Sequence, residues 1–361
     1  MKSAELVIVG GGPAGLSAGI VAGKLGVKVL LIDDGPRLGG QLIKQTHKFF
    51  GSKSHYCGIR GVDIAIVLEN ELRQSDAEVM LNTTCIGHFQ PNVLGVVNDG
   101  RFIKLTYQAL IVATGATENS VLFENNDLPG VYGAGAVQTL MNVYGVKPGR
   151  RVLMVGSGNI GLIVSYQLIQ AGVEVVAVVE ALPRIGGYNV HAAKLRRLGV
   201  PIFVSHTIKR ALGKDFVTGA IICRLNKNFQ PLKGTEKRLK VDTICLAVGL
   251  SPLTELLSQI GCQMVYIPEL GGQVAWHNDN MATTVPNVYV AGDVSGIEEA
   301  STAILEGKIA GASAAKSLLG NTVKVEVENI VREAQQELAA IRQGPFGEKV
   351  VRGKKLMQTT R

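Results

Sequence analysis

Leu6-Val-Ile-Val-Gly-Gly-Gly-Pro-Ala-Gly15 is the stretch that decides the fold. Four apolar residues in a row read as a strand buried on both faces, the pattern of a parallel sheet interior. They run into Gly10, Gly12 and Gly15, spaced G-x-G-x-x-G, and Leu16 to Leu25 then reads as a helix of small residues. Val27 to Ile32 is a second strand, closed by Asp33. Strand, glycine turn, helix, strand and terminal acid within about 30 residues make a βαβ unit built for a dinucleotide. Gly10 makes the tight turn, Gly12 lets backbone approach a pyrophosphate, and Gly15 lets the helix pack on the strand. The helix opening at Pro13 and Ala14 offers amide donors and a partial positive charge to a phosphate. Asp33 is placed to accept from a ribose 2′-hydroxyl.

The same design returns about 146 residues later. Val152 to Val155 is a strand, Gly156-Ser-Gly-Asn159-Ile160-Gly161 the turn, Leu162 to Gln170 a helix, and Val173 to Val179 a strand closed by Glu180. Gly26 and Gly172 follow the two helices, and Pro36-Arg-Leu-Gly-Gly40 is echoed by Pro183-Arg-Ile-Gly-Gly187. The second closing strand is one residue longer, which puts Glu180 out of register with Asp33. A one-residue slip reverses side-chain facing, and a β-bulge would repair it. An acid at Glu180 repels a 2′-phosphate and favours NAD over NADP; Arg184 nearby argues the other way.

At 361 residues the chain has room for two or three domains. Charged residues at 18% and a mean hydropathy of +0.23 exclude disorder over most of it. Cys57, Cys85, Cys223, Cys245 and Cys262 form no Cys-x-x-Cys pair. That excludes a disulfide scaffold, a locally spaced zinc or iron–sulfur site and a redox dithiol, and points to a reducing, cytoplasmic compartment. No signal-peptide pattern opens the chain. Leu6 to Gly23 is uncharged for 18 residues but carries Pro13 and several glycines, so strand, turn and helix explain it better than a membrane span. Net charge is +8, and Lys349, Arg352, Lys354, Lys355 and Arg361 face no acid after Glu348. These read as a solvated, frayed tail, or else as a contact for an acidic partner protein. No aromatic platform accompanies them, which argues against nucleic acid.

Beyond the two units, Ala109 to Gly115 ends in Ala113-Thr114-Gly115, Ala247-Val-Gly249 is a near-equivalent, and Val288 to Ala291 leads into Gly292-Asp293. Residues 299–318 read as a helix and 326–342 as an amphipathic one. With both glycine turns, these four motifs over residues 5–318 resemble the flavoproteins with two dinucleotide-binding domains, of which thioredoxin reductase is a small member. The resemblance implies an α/β fold of two Rossmann-like, three-layer ββα domains, the NAD domain inserted in the FAD domain. The boundaries it implies are 1–117 and 249–322 for FAD, 118–248 for NAD, and 323–361 for a C-terminal helix and basic tail. It implies FAD on the first turn and NAD on the second. Gly40, Gln41 and Thr46 would lie near the flavin or its ribityl chain, Asp293 would hold the ribityl or pyrophosphate, and the helix opening near Ala300 would point at the flavin pyrimidine. On glycines alone, ATP or NAD satisfies the first turn equally.

Both places where that group carries its dithiol lack one here, so electrons need another exit. Gly40-Gln-Leu-Ile-Lys-Gln-Thr46, Gly51 to Gly58 and Gly292-Asp-Val-Ser-Gly-Ile-Glu-Glu-Ala300 are similar to the α-type subunits of sarcosine oxidase, dye-linked proline or hydroxyproline dehydrogenase and opine oxidase. That resemblance implies an electron-transfer subunit beside a β subunit whose own FAD oxidises a secondary amine, an FMN at the interface, and a small iron–sulfur protein. No side chain is nominated as acid or base, since the cofactors make and break the bonds. The alternatives are a stand-alone NADH-dependent reductase and a non-catalytic nucleotide-binding subunit. His47, Lys48, His55, Tyr56 and Cys57 read as loop filler, Phe49-Phe50 as a core anchor of that loop, and Trp276-His277 as a packed corner.

Overall fold

A computed structural model describes residues 2–360, so Arg361 of the basic run lies outside the described residues. Two compact units emerge. One holds the chain up to Thr117 and from Ser251 onward; the other, Glu118–Leu250, is inserted in it. The inserted unit therefore takes Gly249 with it, two residues past the expected end at 248.

In the first unit the strand Lys2–Val9 pairs in parallel with Val29–Ile32 on one side and Arg101–Val112 on the other. Helix α1, Pro13–Lys24, joins the first two. The long strand 101–112 serves two layers. Its first half pairs antiparallel with Val93–Asn98, and its last three residues pair in parallel with Val288–Val290. Helix α2, Gly61–Arg73, follows the loop of residues 41–60. Leu6, Ile8, Leu30, Ile32, Leu110 and Ile304 belong to one buried core. Each such side chain contributes about 1.5–3 kcal/mol on burial.

The inserted unit has a five-stranded parallel sheet with Arg151–Val155 at its centre. The two-residue period of that strand splits its side chains between two cores. Val152 and Met154 face the helix side, where α3 (Ala134–Asn142), α4 (Asn159–Gln170) and α5 (Asn189–Arg197) supply Val137, Leu162 and Leu195. Leu153 and Val155 face Ile208, Ala220 and Ile222 of an antiparallel sheet formed by His206–Gly213, Val217–Arg224 and Lys237–Leu239. Sheet, sheet and helices make the three-layer domain. Residues 206–240 carry nine Lys and Arg against two acids, so this small sheet holds nearly all of the +8 surplus.

After α6, Glu255–Ile260, the chain closes the first unit with α7 (Ala300–Leu319), α8 (Lys324–Ile341) and α9 (Pro345–Thr359). The reading of residues 349 onward as a frayed tail is corrected here. Val350 and Met357, seven residues apart on one helical face, are buried among Leu270, Val274 and Trp276. Apolar spacing outweighs the charge run. Among the described residues no helix is long and apolar enough to cross a membrane; Leu6–Gly23 is divided between a strand and α1.

Candidate functional site

The first glycine turn is built by backbone clearance. Gly10 has φ +108, and a Cβ there would collide with the Ala113 carbonyl oxygen. Ala113 sits so close because its amide donates to Val9 O at 2.8 Å. A Cβ on Gly15 would collide with the Gly10 carbonyl. Gly12 differs from both. It caps α1 with φ −75 and ψ −174, and the nearest atom to its would-be Cβ is Gly40 Cα at 3.9 Å. The open side of Gly12 lies before the first-turn amides of α1, a cradle with no Cβ in it whose amides suit a phosphate. Gly39 closes the far edge by donating its amide to Gly11 O at 2.8 Å. Gly40 lies on Gly12, while Gln41 is exposed and Thr46 half-buried. Thr114 donates to Leu253 O at 2.8 Å, and Gly115 turns the chain at φ +73.

Asp33 does more than wait for a ribose. Its Oδ2 accepts the Gly11 amide at 2.6 Å and its Oδ1 the Gly35 amide at 2.8 Å. Burial pushes this carboxyl up, against the pull of those two amides. It ties the glycine turn to the loop after the strand.

The inserted unit repeats the construction. Gly156 has φ +104 against the Ala247 carbonyl, and Gly161 packs on the Gly156 carbonyl. Gly158 caps α4 with no atom within 4 Å of its would-be Cβ. Glu180 accepts the Ser157 amide at 2.9 Å, the Ser157 hydroxyl at 2.7 Å and the Leu182 amide at 2.9 Å. That is Asp33's pattern, turn residue plus the residue two places on. The register works because strand Glu174–Glu180 bulges between Val175 and Ala177. The extra residue turns Glu180 back to the cradle side. Asn159 accepts the Tyr188 amide at 2.9 Å, and Ile160 is partly exposed on the first turn of α4. Gly249, at φ +117, accepts the Asn119 amide at 3.0 Å.

Asp293 lies in the first unit, between Gly292 at φ +79 and the N-terminus of α7 at Ala300. Burial pushes its carboxyl up to about 6, opposed by the Glu298 amide and reinforced by the Glu306 and Glu298 charges. The Glu298 amide reaches it only at 3.3 Å. Such a carboxylate is short of donors, and a ligand hydroxyl would supply one. Raised from 3.8 in the folded state, this group favours folding when protonated. That contribution is whole below the unfolded value and lost as pH rises through 6. Asp293→Asn therefore stabilises the flavin-free chain by about 1–2 kcal/mol at pH 7.5, discounted from 1.4 kcal/mol per unit because water reaches the site. Urea unfolding at pH 7.5 and pH 4 checks it: the gain is absent at pH 4.

The loop of residues 41–60 divides its aromatics. Phe49 and Tyr56 pack on the core, but Phe50 is 57% exposed, so the core-anchor reading holds for Phe49 and is corrected for Phe50. His55 bonds Ser52 at 2.7 Å and Glu337 of α8 at 2.8 Å. Trp276 and His277 are both buried. All five cysteines are free thiols: Cys57 is exposed, Cys85 half-buried and the other three buried. Sequence reasoning missed Ser295, Glu306, Arg342 and Lys354, which converge on the Gly292–Asp293 turn.

The open cradles and the donor-poor Asp293 fit an FAD in the first unit, and the second cradle fits a nicotinamide dinucleotide. Residues 4–307 match the family described as pyridine nucleotide-disulphide oxidoreductase. The sarcosine oxidase alpha subunit of Rhizobium meliloti (strain 1021) is 27% identical over 91% of this chain and 32% of its own length. The HcnB subunit of hydrogen cyanide synthase from Pseudomonas protegens is 29% identical over 85% and 69%. An opine oxidase subunit of R. meliloti (strain 1021) is 28% identical over 93% and 75%. The chain thus spans about a third of the first of these relatives and about 70–75% of the other two. Among solved structures, T. acidophilum thioredoxin reductase superposes with a TM-score of 0.73 at 22% identity, covering 89% of this chain and all of that one. L-proline dehydrogenase from P. horikoshii gives 0.69 at 24%, covering 92% and 59%.

Proposed function

The chain belongs to the pyridine nucleotide-disulphide oxidoreductase family, and from that premise we propose that it is the FAD- and NAD-binding electron-transfer subunit of a multi-subunit dehydrogenase for a secondary amine or amino acid. The observation that carries this reading is the pairing of two complete cradles with five free, unpaired thiols. A member of a disulphide-reducing family without a dithiol must pass its electrons to something outside the chain. The relatives named as oxidase subunits point the same way.

When bound, FAD and NAD supply hydride transfer between nicotinamide and flavin. The chain binds and orients them. Gly12 and the first amides of α1 take the FAD pyrophosphate, Asp293 a ribityl hydroxyl, and the N-terminal dipole of α7 favours negative charge on the flavin. Gly158 and α4 take the second pyrophosphate. Glu180 holds a negative charge where a 2′-phosphate would lie, so NADH binds at least tenfold more tightly than NADPH; equal affinities in a fluorescence titration would refute this.

The partners proposed are an amine-oxidising β subunit with its own FAD, an FMN shared at the interface, and a small iron–sulfur acceptor. Exposed Phe50 suits a protein contact, and the cationic sheet of residues 206–240 suits an acidic partner. The test is expression of the chain alone and purification from its native source. Alone, it is yellow, is bleached by NADH without air, and does not oxidise amines. From the native source it elutes with a second flavoprotein. Amine oxidation by the single chain, or a native single-chain species with full turnover, sinks the subunit reading.

A further inference from the structure

A buried ionic cluster joins the Gly292–Asp293 turn to the C-terminal helix, and the nucleotide motifs do not require it. Glu306, 2% exposed on α7, accepts the Gly292 amide at 3.0 Å and the Ser295 hydroxyl at 2.8 Å through Oε2. Its Oε1 takes Arg342 Nη2 at 2.8 Å and Lys354 Nζ at 3.3 Å. Lys354 reaches further into the turn. Its ammonium donates to Ser295 O and Ser295 Oγ, each at 3.0 Å, and to His277 Nε2 at 2.9 Å. His277 is 2% exposed and its Nδ1 bonds Ala275 O at 2.8 Å, which leaves Nε2 as the acceptor. Burial first, then the Lys354 charge, push its imidazole down to about 3, so it stays neutral. Arg342 also pairs with Glu298, whose amide faces Asp293.

The seat of α9 reinforces the link. A Cβ on Gly353 would lie 2.8 Å from Leu270, and the Leu270 carbonyl accepts the Ile297 amide at 3.0 Å. The turn is therefore held at Gly292, Ser295 and Ile297 by groups that α9 touches or charges. Burying four ions costs several kcal/mol each before their attraction is counted. Apolar residues alone would dock a helix more cheaply. Apolar groups, however, cannot bond the Gly292 amide and the Ser295 hydroxyl as Glu306 and Lys354 do.

We propose that α9 is a clasp on the flavin site, in which Lys354 is a positioning residue that, through Ser295 and Glu306, holds the Gly292–Ser295 turn so that Asp293 meets the ribityl chain of FAD. This rests on the first cradle taking FAD. The test uses the full chain, stripped of flavin and reconstituted with FAD. Lys354→Met keeps the apolar stem and removes the ammonium; Ser295→Ala removes the linking hydroxyl while every residue of α9, and the Lys354 bond to Ser295 O, stays in place. FAD affinity is read by flavin fluorescence, and thermal midpoints are taken with and without FAD. Each variant is expected to bind FAD at least tenfold more weakly, and the FAD-induced rise in midpoint shrinks. NADH affinity stays at the parent value. If Lys354→Met does not fold, Ser295→Ala decides. Midpoints that fall equally with and without FAD, at unchanged FAD affinity, mean a merely structural cluster and overturn the clasp alone. A parent chain that takes up no FAD overturns the reading of the first site, and the clasp with it.

Discussion

Gly12→Val yields a folded, colourless protein. The three glycines of the first turn are not equivalent, and this substitution separates their roles. At Gly10 a Cβ meets the Ala113 carbonyl oxygen and at Gly15 the Gly10 carbonyl oxygen, so any side chain there breaks the turn before a ligand is involved. Gly12 has an ordinary extended conformation that valine adopts without strain, and its would-be Cβ makes only an ordinary contact with Gly40 Cα at 3.9 Å. No side chain caps α1 at this position, so no capping bond is lost. The only thing displaced is whatever belongs in the cradle. FAD affinity should fall at least 100-fold, about 2.7 kcal/mol, while the circular dichroism spectrum and the urea midpoint of the flavin-free protein stay at parent values. Gly158→Val is the mirror experiment: the protein stays yellow and NADH no longer bleaches it. Full flavin occupancy in Gly12→Val contradicts the first assignment, and unaltered bleaching in Gly158→Val contradicts the second.

The contrast between those glycines was only partly legible in the sequence. G-x-G-x-x-G after an apolar run gave the turn, the helix and the acid, since each follows from local backbone geometry. The register of Glu180 was legible too, because the extra residue could be counted and a bulge restores the facing; the bulge lies at Val175–Ala177. What Asp33 and Glu180 bond to was not legible. Both hold amides of the turn as well as facing the cradle, and hydrogen-bond partners 22 or 23 residues away leave no trace in spacing. Lys354 was misplaced for a different reason. Counting charges put it in a basic tail, whereas Val350, Lys354 and Met357 recur at helical spacing on the face that docks. The periodicity was available and the charge count obscured it. Its partners Ser295, His277 and Glu306 come from three separate segments, which only the folded chain brings together.

Gly307→Ala should unfold the protein far more readily than Gly12→Val or Gly158→Val. By helix propensity alone, alanine in place of glycine inside a helix gains roughly 1 kcal/mol. Here the sign reverses. A Cβ on Gly307 would overlap the Ala14 carbonyl oxygen and stand 3.0 Å from Ala14 Cα; one on Gly311 would overlap the Ala18 carbonyl and stand 2.8 Å from Ala18 Cα. Small residues four apart on each helix bring α1 and α7 together backbone to backbone. The obstacle is main chain, which has no rotamer to yield, so the helices must separate. Separation opens voids beside Leu16, Ile304 and Ile309, all in the main core. A loss of about 3 kcal/mol or more is expected, a shift of about 1 M or more in urea midpoint at an m-value of roughly 1–3 kcal/mol/M. The effect also reaches the site. α1 opens at the first glycine turn and α7 supplies Glu306, one residue before the substitution, so moving the helices apart moves both ends of the proposed FAD site. Flavin affinity should fall with stability in Gly307→Ala, in contrast to Gly12→Val, where affinity falls alone. An unchanged or raised urea midpoint for Gly307→Ala would show that the two helices do not touch as described.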